Sequence, residues 1–141
     1  MDIIHEFEIK TTEKQTFDAI TTEEGINGWW SKDCDIPTAE GETMRVRFTD
    51  HNVEMGFRID ELVENRKVVW TCVENPNPAF LDTVIQFDIK KSSSGIQFRF
   101  NHSNWDEQWD GKINFEQSKE SWKHFMNSLK SYLETGTGQP W

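Results

Sequence analysis

The chain has 141 residues, a length that suits one domain with one core, and carries 15 Lys and Arg against 25 Asp and Glu, a formal net charge of -10. That excess repels phosphate backbones and anionic lipid surfaces, so nucleic-acid binding is disfavoured. Cys34 and Cys72 make neither a disulfide framework nor a C-x-x-C motif, the opening MDIIHEFEIK has neither the basic start nor the apolar centre of a signal peptide, and no run approaches the roughly 20 apolar residues of a membrane-spanning helix. A single domain over residues 1–141, in the cytoplasm and without membrane insertion, is the expectation.

Ile3, His5, Phe7 and Ile9 alternate with Ile4, Glu6 and Glu8, the period of a strand with one buried face. Thr12 followed by Gln15 has the form of a capping box, which predicts a short helix over 13–21 carrying Phe17 and Ile20. Thr22 is placed to cap a second short helix with Ile26, Trp29 and Trp30 on one face, ended by Lys32, Asp33 and Pro37. Consecutive residues of a helix point about 100 degrees apart. One of Trp29 and Trp30 is therefore expected to pack inward, and the other to guard an opening or cover the sheet edge.

Period two returns at Met44, Val46 and Phe48 and, after the turn residues Asp50, His51 and Asn52, at Val53, Met55, Phe57 and Ile59. Val68, Trp70 and Cys72 form the next strand, ended by Asn75 to Pro78. Ile85, Phe87 and Ile89 form another, and beyond a turn at Ser92 to Gly95 come Ile96, Phe98, Phe100 and His102. About six strands, mostly joined by hairpins, make an antiparallel sheet. Phe115, Trp122, Phe125, Met126, Leu129, Tyr132 and Leu133 then fall three or four apart, the stripe of a long amphipathic helix that Gly136 stops. The elements predict an α+β arrangement in which that helix's one large apolar partner is the sheet.

This order, together with EGINGWWS at 24–31, FNHSNW at 100–105 and SWKHFMNSLKSYLETGTGQP at 121–140, resembles the START-like superfamily. More narrowly it is similar to the branch named for the activator of the Hsp90 ATPase. The resemblance implies a helix-grip fold, a curved sheet wrapped around the long helix with a cavity between them and the two short helices at its mouth. It also implies an apolar ligand such as a lipid, sterol or polyketide, while a minority of the superfamily are enzymes or chaperone partners. Asn104 and Ser121 stand where relatives often carry glycine, two departures at the rim of the implied cavity.

Joining the inward strand faces to the helix stripe nominates Phe48, Met55, Phe57, Trp70, Phe87, Phe98, Phe100, Trp122, Phe125 and Met126 as lining, with Trp29 and Trp30 near the mouth. The competing reading is that all of these simply pack against one another, as protein interiors do. His102 extends the face of Ile96, Phe98 and Phe100 and supplies one polar group fit to orient a ligand hydroxyl or carbonyl, unless a neighbour at the strand end already satisfies it. His51 and His124 are expected in solvent. Trp105 and Trp109, in the polar loop before the helix, are expected to anchor that loop or to form a lid.

No G-x-S-x-G, H-E-x-x-H, P-loop or dinucleotide fingerprint occurs, and the acidic residues fall mainly on predicted outer faces. No catalytic residue, metal ligand or cofactor is nominated. The leading reading is a protein that binds a hydrophobic small molecule, lipid-like or flat and aromatic. The alternatives are a cyclase or aromatase, which needs a second polar group beside His102, and a chaperone-binding or other protein-interaction module.

Overall fold

The computed structural model describes residues 1–107 and 109–141. Each stretch of alternation forms a strand. β1 (Ile3–Ile9) leads into α1 (Glu13–Thr21) and α2 (Glu23–Trp29), followed by β2 (Asp33–Asp35), β3 (Thr43–Phe48), β4 (Val53–Val63) and β5 (Lys67–Glu74). β6 (Val84–Ser92), β7 (Gly95–Ser103) and the 27-residue α3 (Trp109–Thr135) complete the chain. The expected caps form: the Thr12 hydroxyl accepts from the Gln15 amide at 3.1 Å and that of Thr22 from the Gly25 amide at 3.0 Å. At the far end of α3, Gly136 takes φ +86, the left-handed C-cap that glycine adopts without strain.

All strand pairs are antiparallel, in the order β1-β7-β6-β5-β4-β3-β2, so the sheet has seven strands and is not closed. The sequence pattern predicts about six because β2 has only three residues and no apolar alternation. Its signal lies instead across the strands, where Asp33 and Asp35 pair with Arg47 and Arg45. Arg47 reaches Asp33 at 3.2 Å and Asp35 at 2.5 Å, which fixes the register of the short edge strand. Such exposed pairs contribute about 0–1 kcal/mol each. β4 shifts register at Gly56/Phe57 and Ile59/Glu61, and bulges of this kind bend a strand.

The inner faces of the strands meet α3. Phe115, Trp122, Phe125, Met126 and Leu129 are buried along the stripe, while Lys119, Lys123 and Asn127 stay exposed opposite. A Cβ on Gly28 would lie 2.3 Å from the Tyr132 ring, so α2 seats on α3 only because the side chain there is absent. Residues beyond α3 fold back over this junction: the Trp141 amide donates to Trp30 O at 3.0 Å and the Lys32 amide to Trp141 O at 3.1 Å. Ser128 joins the layers further, donating to Trp29 O at 2.8 Å and accepting from the Gln139 amide at 2.6 Å. Among the described residues no helix is long and apolar enough to cross a membrane.

Candidate functional site

Trp30 sits at the centre of the aromatic interior. α2 ends at Trp29, and Trp30 is its C-cap, at φ -114, ψ -66 with its amide still bonded to Ile26 O at 2.9 Å. Its ring can therefore stack on Trp29, with centroids 5.7 Å apart and planes 13° apart, and on Trp70 at 5.8 Å and 4° on its other face. This corrects the expectation that one of the pair guards an opening. Both are buried, at 0% and 1% exposure, and Trp29 closes its own account by donating its indole N–H to Ala19 O at 2.8 Å. Trp30 also meets Phe57, Trp122 and Phe125 at 5.7, 5.5 and 6.4 Å.

His102, inward on β7, meets α3 through one hydrogen bond: Trp122 Nε1 donates to its Nδ1 at 3.0 Å. An indole N–H only donates, so Nδ1 carries no proton and the neutral ring holds its hydrogen on Nε2. That Nε2 is buried and has no partner among the described residues. Burial depresses the imidazole pKa to about 3, so the ring is neutral at physiological pH. One nitrogen is thus satisfied by a neighbour and the other is a donor without a partner among the described residues. Trp105 packs against it, with ring centroids 4.5 Å apart, and donates its indole N–H to His102 O at 3.2 Å. Buried in this way, Trp105 anchors its loop, whereas the Trp109 side chain lies outside the described residues.

Between the sheet and α3 lies a cavity of about 140 Å³. Phe48, Met55 and Phe57 of β3 and β4 form one wall with Trp30 and Phe125. Asn75, Thr83 and His102, at the ends of β5, β6 and β7, form the other with Ser118, Ser121 and Trp122 of α3. The space is thus aromatic toward β3 and β4, and polar toward β6 and β7. Among the described residues no charged side chain lines it. Trp141, 42% exposed, stands at its outer end, 4.7 Å from Phe125 and stacked on His124 at 5.3 Å. His124 is half-buried rather than free in solvent, and its Nε2 lies 2.9 Å from Gln139 O. His51 remains exposed, with its ring 5.4 Å from Trp141.

Of the nominated residues the structure brings Trp30, Phe48, Met55, Phe57, His102, Trp122 and Phe125 to this cavity. Trp29, Phe87, Phe98, Phe100 and Met126 are buried away from it, and Phe100 supports it from behind, 4.5 Å from the Trp122 ring. Trp70 instead borders a second apolar cavity of about 200 Å³, shared with Phe17, Ile20, Met44 and Leu62. The pattern missed Cys72, Asn75, Phe80, Thr83, Ile85, Ser118, Ser121 and Trp141. Cys72 and Ile85 belong to strand faces already in alternation. Ser118 was legible as the polar gap in the helical stripe between Phe115 and Trp122, whereas Trp141 follows a proline and has no periodic signal.

Neither departure from glycine leaves strain. Ser121 adds a hydroxyl-bearing side chain to the lining, and Asn104 takes φ +63, a left-handed conformation that asparagine tolerates, while donating its amide to Asp82 O at 2.9 Å. The two thiols are buried and held protonated, Cys34 pushed up to about 12 and Cys72 to about 11, in both cases chiefly by desolvation. Among the described residues no three His, Cys, Asp or Glu side chains converge as a metal site requires. A larger groove of about 490 Å³ beside α1 and α2 mixes Gln15, Asp18 and Glu24 with Ala19, Tyr132 and Leu133, and so is more polar and carries more charge than the site under α3.

A bent antiparallel sheet gripping a long C-terminal helix, with an uncharged aromatic cavity between them, defines a helix-grip domain of the START-like kind. The chain belongs to the family described as activator of Hsp90 ATPase homolog 1-like protein, whose profile matches residues 10–134. Among solved structures it is similar to the Aha1 dimer from Colwellia psychrerythraea, at 29% identity and a TM-score of 0.85 over 98% of this chain and 99% of that one. Proteins from Staphylococcus saprophyticus (24% identity, TM-score 0.79, 99% and 96% covered) and Mesorhizobium loti (20%, 0.83, 94% and 96%) share the fold. A comparison with functionally curated proteins finds no match.

Proposed function

We propose that this chain, acting as one cytoplasmic domain, binds a hydrophobic small molecule in the cavity between the sheet and α3. The observation that carries the reading is the cavity itself: about 140 Å³, walled by aromatic rings and, among the described residues, free of charged side chains. Ligand sites are typically concave and mostly apolar, with a few polar groups that fix orientation. A cyclase or aromatase needs a second proton carrier beside His102. The other polar lining groups are hydroxyls, one amide and a thiol with its pKa near 11, a set suited to holding a molecule rather than moving protons through it. Contact with a chaperone, the second reading that the family description carries, is a matter of surface and leaves the cavity without a purpose.

The test is native mass spectrometry of the purified protein followed by a thermal-shift screen of small apolar compounds. A ligand that binds only the folded state adds about 2.7 kcal/mol at a hundredfold excess over its dissociation constant. A saturable rise in Tm is expected, and it should vanish in Met55→Trp, which fills the cavity from a half-buried wall position. No bound mass and no shift with any compound would sink the reading.

A further inference from the structure

We infer that the cavity's ligand is a neutral molecule of about one aromatic ring that carries a single hydrogen-bond acceptor, the ring lying toward Phe48 and Phe57 and the acceptor toward His102. This rests on the binding reading above and narrows it by size, charge and polarity.

Size comes first. An engineered apolar cavity of about 150 Å³ takes up benzene, and this cavity measures about 140 Å³. A sterol, a multi-ring polyketide or a full fatty chain does not fit within it. Rotating the walls offers little relief, because Trp30 is clamped between Trp29 and Trp70, and Trp122 is held by both His102 and Phe100.

Charge comes second. Among the described residues no Lys, Arg, Asp or Glu lines the space, and His102 is neutral, so an ionised ligand would lose its hydration with no counter-charge in return. Polarity comes third. The bond from Trp122 fixes the tautomer that leaves Nε2–H as the unspent donor, and a buried donor without a partner is costly. Nε2 is closed to a water-sized sphere in this structure, so an acceptor on the ligand relieves that cost by displacing the rings around it slightly, and a second donor does not relieve it. Ser118 and Ser121 stand at the same end from α3 and adapt to either role.

The experiment titrates the full chain with four probes: acetophenone, ethylbenzene of similar size without an acceptor, benzoate as the charged analogue, and a three-ring flavone. Binding is read from tryptophan fluorescence and thermal shift, and the His102 Nε2–H from imidazole nitrogen NMR. Acetophenone is expected to bind about fivefold to tenfold tighter than ethylbenzene, to leave benzoate and the flavone without saturable binding, and to shift the Nε2–H resonance. In His102→Phe the preference over ethylbenzene should disappear. Because that change also removes the acceptor for Trp122, Ser121→Phe is the companion variant: it fills the polar end from a half-exposed helix position and should lose acetophenone while keeping the wild-type Tm. Equal affinity for acetophenone and ethylbenzene overturns the acceptor, tighter binding of benzoate overturns neutrality, and saturable binding of the flavone overturns the size limit. In all three the cavity still binds. Failure of every probe together with the wider screen defeats the binding reading itself.

Discussion

Two halves of the same interior differ in what faces their aromatic side chains. Around Phe87 stand three rings, Trp70 at 4.9 Å, Phe100 at 5.6 Å and Phe98 at 5.8 Å, with the buried Val68 directly across on β5, and it borders neither apolar cavity. Around Phe57 and Trp122 the facing positions include Thr83, Ser118 and Ser121, whose short side chains do not reach across, and a cavity remains. Rings on a regular inward face produce solid core or cavity wall according to the size of what stands opposite. Aromatic spacing alone therefore does not separate the two, and the small polar members of a helical stripe do.

The sharpest way to break this comparison is to truncate one side chain from each half. Phe87→Ala removes a fully buried ring from close packing and should cost about 3–5 kcal/mol in urea unfolding, with no compensating gain. Met55→Ala, at a half-buried wall position already beside empty space, should cost about 1 kcal/mol and should weaken acetophenone binding instead. Similar losses of stability from both would mean that the cavity wall is as tightly coupled as the core.

The same distinction marks how far the sequence could be read. The long strands, the two capped helices, the α3 stripe and the family were legible because alternation, Thr12 and Thr22 caps and the WWS and SLKSYLETGTGQP segments are local signals. β2 was not, since its register rests on cross-strand ion pairs from Asp33 and Asp35 to Arg47 that no local pattern contains. The inward direction of the candidate wall residues followed from period two. Which of them border space did not follow, because that depends on residues brought opposite by tertiary packing, as with Ser118, or by a returning tail, as with Trp141. The fate of Trp30 turned on its place at the helix C-cap, where φ widens to -114, which a wheel drawn at 100 degrees per residue cannot anticipate.

A smaller effect should expose the polar end through pH. His102 titrates near 3 when folded against about 6.5 when unfolded, so between those values the unfolded chain binds the extra proton. Stability is therefore undiminished above pH 6.5 and falls as the pH drops below it, by at most about 1.4 kcal/mol per unit from this one group. Carboxylates add their own slope at low pH, so the informative quantity is the difference from His102→Gln, which keeps an acceptor available to Trp122 but does not titrate. Urea unfolding at pH 7.5, 5.5 and 4.5 should show the wild type losing stability more steeply than the variant. Parallel slopes would mean that the ring is hydrated and its Nε2 is already served.

The smallest change in stability, and the most local, is expected at the outer end. The backbone bonds from the Trp141 amide to Trp30 O and from the Lys32 amide to Trp141 O do not involve the indole, so Trp141→Ala keeps the tail in place and removes only the ring over the cavity. With 42% of the residue already exposed, the loss should stay near 1 kcal/mol or below. The rates at which acetophenone enters and leaves should both rise in stopped-flow fluorescence, because the ring stacked on His124 and set edge-on against Phe125 no longer has to move aside. Affinity should fall less than either rate changes, since Trp141 covers the site more than it contacts a ligand seated against Phe57 and His102. Unchanged rates would place the access route elsewhere on the rim, between the half-buried Asn75 and Phe80, and would leave Trp141 as a cover for Phe48 and Phe125 alone.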